Sequence, residues 1–229
     1  TLKGQYIRNG PGNPERRGIL PHYFDRDGLL HSVTFDNGST TFRKRFVQTE
    51  KFVKEEHSGE YMHRGVFSLP LEPNLLEFKP PNVSNTHVLS MNNRLYSLYE
   101  AGSPYEFTSR LETLGKSTLD GLLEPNQPLS AHYRETPEGD GVVLFSVVQD
   151  GLDSVVYVYE VAKDGENREQ TAQFVVYNNP FPFFHDIMVT ENYYIFIENP
   201  TRFDLRKMIM EFPQKQCSIG ECVTHKTAH

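Results

Sequence analysis

Residues 87–100 read HVLSMNNRLYSLYE, and the reading of that stretch decides the fold. Apolar and polar positions alternate from Val88 to Met91, stop at Asn92-Asn93, and resume from Leu95 to Tyr99. Period-two alternation on either side of two residues that tolerate positive φ predicts a β-hairpin. Residues 185–198, HDIMVTENYYIFIE, repeat the plan: histidine, apolar strand, turn with asparagine, aromatic strand, glutamate.

Working outward, the same grammar recurs. Residues 29–35 and 42–46 alternate around Asn37-Gly38, and residues 142–148 and 155–161 flank a turn at 149–151. Asp27-Gly28 reads as a further turn just before the first of these hairpins. Twelve Tyr and sixteen Phe among sixteen Gly and fifteen Pro fit a β protein rich in turns. No helix-period stretch longer than two turns stands out. His132 lies 45 residues after His87 and 53 before His185. Units of about 40–50 residues, each a small antiparallel sheet, are the signature of propeller blades. The expected fold class is therefore all-β, a β-propeller, with residues 1–229 forming one domain. Blades radiate from an axis, so histidines on innermost strands at blade spacing are expected to converge.

Composition removes other classes. A formal net charge of −7 argues against a nucleic-acid partner held on a basic face. No apolar run approaches the roughly 20 residues of a membrane-spanning helix. Two cysteines in 229 residues exclude a disulfide scaffold. The chain opens on Thr1 without a signal-peptide pattern, and is expected to be part of a longer protein.

Imidazoles suit zinc, copper, iron and nickel. On spacing, His132 and His185 are the candidate metal ligands, whereas His31, His57 and His63 lack a matching context. Glu100 and Glu198 either face solvent or accept the outer N–H of a metal-bound imidazole. Three lookalikes carry less. Asp25-Arg26-Asp27-Gly28 lacks the remaining ligands of a calcium loop. Arg43-Lys44-Arg45 sits on a strand and alternates between its faces. Cys217, Cys222, His225 and His229 lack the long insert of a zinc finger.

The chain resembles the N-terminal part of the carotenoid cleavage oxygenase family. The matching segments are residues 6–11 (YIRNGP), 22–31 (HYFDRDGLLH), 85–106 (NTHVLSMNNRLYSLYEAGSPYE), 111–115 (LETLG), 130–132 (SAH) and 184–200 (FHDIMVTENYYIFIENP). They occur in family order. The resemblance implies a seven-bladed propeller, about half of it in this chain, with Fe(II) on the axis held by four histidines. Two of those four fall on His132 and His185, and Glu100 matches a carboxylate bonded to an iron histidine. His87 falls where the family needs no histidine, which makes it a structural or rim residue. Glu198 acquires no ligand role.

The resemblance further implies cleavage of a conjugated double bond of a carotenoid or apocarotenoid with O2, giving two carbonyl products. It calls for no organic cofactor. The partners are then an apolar polyene and O2, with room for peripheral membrane contact during substrate uptake. The compartment stays open between cytoplasm and plastid. A stilbene-type substrate is the alternative within the family. A shortened, non-catalytic propeller that binds an apolar ligand or a protein is the alternative outside it. With two of four ligands, the chain alone is expected to hold iron weakly, to be inactive and to aggregate through open blade faces. The apolar residues Phe203, Leu205, Met208, Ile209, Met210 and Phe212 read as the start of another blade or of a lid.

Overall fold

The computed structural model describes residues 2–18, 20–70, 79–163, 168–179, 181–199, 201–203 and 223–225. Antiparallel sheets follow one another along the chain. The first holds β1 (Gly4–Arg8), β2 (Leu29–Asp36) and β3 (Ser39–Phe46), in that order. Asn37 and Gly38 link β2 to β3 with φ of +47° and +93°, the pair of left-handed residues that a two-residue hairpin turn requires.

The second sheet runs β4 (His87–Met91), β5 (Arg94–Leu98), β6 (Tyr105–Phe107), β7 (Thr113–Lys116), with Asn92 and Asn93 both at positive φ in its first turn. The third runs β8 (Arg134–Glu135), β9 (Gly141–Asp150), β10 (Asp153–Ala162), β11 (Arg168–Val176). The fourth hairpin is present but short, β12 (Met188–Val189) paired with β13 (Tyr194–Ile195). The backbone of β14 (Thr201–Phe203) pairs with that of β15 (Val223–His225). Cys217, Cys222 and His229 of the zinc lookalike lie outside the described residues, as do residues 205–212 of the apolar tail.

Each sheet packs its face against the next. Leu30 and Val47 of the first unit meet Tyr105, Phe107 and Leu111 of the second. Leu89, Met91, Tyr96 and Leu98 of the second meet Leu144, Tyr159 and Val161 of the third. From the opposite face of the third, Val143, Phe145, Val156 and Val158 meet Phe184 and Ile187. Strands covered on both faces need apolar residues at consecutive positions, which is why residues 142–145 are one apolar run while 29–35 alternate. Successive face-packed antiparallel sheets are the architecture of a propeller, as the hairpins predicted.

Three local expectations are corrected. Asp27-Gly28 is not a turn: the chain bends earlier, in a 3₁₀ turn over Tyr23–Asp25, and Gly28 is already extended. Gly28 is required there because a Cβ would stand 2.0 Å from the Ser84 carbonyl oxygen. His132 and His185 are not on strands; they precede β8 and β12 by two and three residues.

The third correction is a helix, α1 (Glu50–Ser58), capped by Thr49, whose Oγ accepts the Phe52 N–H at 3.0 Å, and ended by Gly59 at φ +73°. Its buried residues are Lys51, Phe52 and Glu55, so apolar periodicity does not reveal it. Lys51 and Glu55 join Arg16 and Asp27 in a buried, charge-balanced network with contacts of 2.6–3.0 Å.

Candidate metal centre

The segment before β8 is fixed by its neighbours. Ala131 is buried, the Ser130 N–H donates to Phe145 O of β9 at 2.9 Å, and the His132 N–H donates to Ser130 Oγ at 3.3 Å. The segment before β12 is anchored on either side of its histidine, because Phe184 and Ile187 both enter the core between the third sheet and the fourth hairpin. His185 and Asp186, between those anchors, are left outside it. Phe183, at φ +50°, lays its ring nearly parallel to that of His185, 6.4 Å away.

These two lead-in segments bring the imidazoles of His132 and His185 edge to face, with ring centroids 4.4 Å apart. Glu100, just past β5 in the second sheet, closes the group. Its Oε1 and Oε2 lie 2.6 and 3.0 Å from His185 Nδ1. An Nδ1–H donating to the carboxylate leaves Nε2 of the neutral ring with a free lone pair, the arrangement of a metal-binding histidine. Sites from three successive sheets thus meet at one place.

The electrostatics of the two rings differ. The hydrogen bond to Glu100 pushes the His185 pKa up, against the opposing effect of burial. Burial, reinforced by the neighbouring His185, pulls His132 down and favours its neutral, electron-donating form. His87, at the start of β4, stacks on His132 at 5.9 Å and on Tyr133 at 5.4 Å, so it touches the site from its rim. Glu198 is remote in role: its Oε1 accepts from Asn179 Nδ2 at 3.1 Å.

Among the described residues no group of three or more His, Cys, Asp or Glu side chains is arranged to hold a metal. What the chain offers is two imidazoles, one oriented by a carboxylate. Such a donor set fits a divalent first-row metal as part of a larger ligand set.

Several residues in the quoted motifs prove to be architectural. Asn9 Nδ2 donates to Ser84 O at 2.8 Å, and Asn85 Nδ2 donates to the carbonyls of Phe24 and Arg26. Asp25 accepts from Val66 N, Phe67 N and Ser68 Oγ. One pair beside the histidines escaped the sequence reading: Arg134 and Asp186 form an ion pair between their two segments. Its only signal was position: Arg134 lies two residues beyond the S-A-H segment, and Asp186 lies inside the quoted segment 184–200.

Comparison with known proteins gives a consistent answer. A family model described as retinal pigment epithelial membrane protein, RPE65, matches residues 1–228. Apocarotenoid-15,15'-oxygenase of Synechocystis is 35% identical over 97% of this chain and 46% of its own length. Carotenoid cleavage oxygenase 1 of Neurospora crassa is 30% identical over 91% of this chain and 39% of its own. A solved structure of the Synechocystis oxygenase, carrying a glutamate-to-glutamine substitution, superposes with a TM-score of 0.84 at 31% identity. That match covers 98% of this chain and 48% of the other. The chain therefore spans less than half the length of these relatives.

Proposed function

From the premise that this chain belongs to the RPE65 family of carotenoid oxygenases, we propose that the protein carrying it is a non-haem Fe(II) dioxygenase. Its reaction would cleave one conjugated double bond of a carotenoid or apocarotenoid with O2, giving two carbonyl products. The observation that carries this reading is the His132–His185 pair with Glu100 on His185 Nδ1. Iron, when bound, would supply the activation of O2, chemistry that protein side chains cannot perform alone.

The chain's own residues have separate tasks in this reading. His132 and His185 would each give an imidazole nitrogen to the metal. Glu100 holds the Nδ1 proton of His185 and thereby fixes its tautomer and ring direction. It also offsets positive charge from outside the ligand set, so the metal keeps its Lewis acidity. The other imidazoles would come from outside residues 1–229, and for that reason the chain alone is expected to hold iron weakly and to be inactive. An apocarotenoid heads the substrate class, since the relative at 35% identity is named for one.

The test uses the complete protein. One iron per chain is expected by metal analysis, lost in His132→Ala and in His185→Ala together with cleavage. Incubation with β-carotene, an apocarotenal and a hydroxystilbene, with product aldehydes identified by mass, separates the substrates. Full iron content and turnover in either histidine variant would end the assignment.

A further inference from the structure

Arg134 and Asp186 are 52 residues apart in sequence, yet Arg134 Nη2 and Asp186 Oδ2 form a direct charge-assisted hydrogen bond. Arg134 lies two residues beyond His132, and Asp186 adjoins His185. Each partner is also fastened to its own segment. Arg134 Nη1 donates to the Tyr133 carbonyl at 3.0 Å, and Asp186 Oδ1 accepts the Ile187 N–H at 2.7 Å.

Neither histidine is on a strand, and β8 and β12 are only two residues long. Ladder hydrogen bonds therefore cannot fix how far one imidazole stands from the other. Apolar packing fixes Ala131, Phe184 and Ile187, and Glu100 directs the His185 ring, but neither bonds the His132 segment to the His185 segment. This ion pair is a direct polar tie between the two segments, next to both rings.

We propose that Arg134 and Asp186 form a clamp that sets the spacing of His132 and His185 for a shared metal ion. Both are positioning residues. The inference rests on the metal reading given above. Their side chains are 42% and 41% exposed, so the pair adds little to global stability. Its effect is local, on the geometry of the ligand pair. Exchanging the two residues restores the charge pair but not the bonds to the Tyr133 carbonyl and the Ile187 N–H, so it tests the contribution of the pair itself.

The experiment is a cobalt titration of the complete protein in its metal-free form, followed by visible absorption, with thermal melting in parallel. Arg134→Asp and Asp186→Arg are each expected to weaken Co(II) binding about tenfold or more, the scale of partners that orient metal ligands. Their ligand-field bands should shift while the melting temperature stays near that of the parent. The double exchange, Arg134→Asp with Asp186→Arg, should regain part of the affinity that each single variant loses. If a reversal does not fold, Arg134→Gln and Asp186→Asn carry the same expectation without introducing repulsion. Parent-like binding in the single variants, or a double exchange as weak as the singles, would overturn the clamp and leave the metal site standing. A parent that binds no cobalt, indistinguishable from His132→Ala, would overturn the metal reading and the clamp together.

Discussion

The interior of the third sheet and the two segments that carry the histidines are neighbours held by different physics. Within the sheet, Val143, Phe145, Val156 and Val158 point one way and Leu144, Tyr159 and Val161 the other, all essentially removed from water. Many interchangeable contacts specify such a region, and any apolar residue of suitable volume does nearly as well. The lead-in segments have no such redundancy. His185 depends on Glu100, and the spacing of the two segments on Arg134 and Asp186. The sheet interiors therefore set stability, and single polar bonds set the site.

The largest expected effect would break this separation if it failed. Phe145 is fully buried and meets Phe196 edge to face at 5.2 Å. Phe145→Ala should cost about 3–5 kcal/mol in denaturant unfolding of the complete protein. Removing one member of the buried ion network is of similar size. Glu55→Ala removes one of the two carboxylates that Arg16 and Lys51 share, leaving Asp27 against two buried cations, and should cost about 3–5 kcal/mol. Metal affinity should be unchanged in that variant, since the network shares no residue with the histidine site.

Glu100→Gln sharpens the contrast from the other side. An amide can still meet His185 Nδ1 but carries no charge, and iron affinity or turnover should fall about 10–100-fold. The melting temperature should scarcely move. A variant that melts early with normal iron content would place Glu100 among the stability residues and erase the distinction.

The same division explains what could be read in the sequence. Hairpins were legible because period-two alternation and Asn-Gly or Asn-Asn turns are local signals, and Asn37, Gly38, Asn92 and Asn93 adopt the positive φ those turns need. The helix α1 was not, because its buried side is Lys51, Phe52 and Glu55 rather than an apolar stripe. Lys51 and Glu55 stand four apart, but no spacing links Arg16 or Asp27 to that pair, so the network exists only once the chain is folded. The meeting of His132 with His185 was legible from blade spacing, and the metal role proposed for them rests on the family motifs. Blade spacing also pointed to His87, which the structure puts against His132 as a stacked neighbour. No periodic signal could have announced Arg134, whose partner is set by how two sheets dock.

The smallest expected effect is the sharpest test of the contrast, because it pairs like with like. Asp120 forms a second carboxylate–guanidinium tie between sheets, bonding Arg94 of β5 and lying 3.2 Å from Arg168 Nη1 of β11. Its chemistry matches that of Arg134 with Asp186, but among the described residues no histidine is bonded to it. The hydrogen bond from Arg94 holds the Asp120 carboxyl below its ordinary value of 3.8. A carboxyl depressed in the folded state contributes stability above its unfolded pKa and loses it as pH falls through the lower folded value. Asp120 is 42% exposed, so that contribution at neutral pH is screened to below about 1 kcal/mol. Asp120→Asn should thus lower the melting temperature only slightly at pH 7. Below about pH 4, parent and variant should converge as the parent's carboxyl is protonated. Metal affinity should be that of the parent at every pH, whereas Asp186→Asn should weaken metal binding about tenfold or more with little change in melting. Loss of metal in both variants would mean that any tie between sheets tunes the site. The privileged position of the Arg134–Asp186 pair would then be lost.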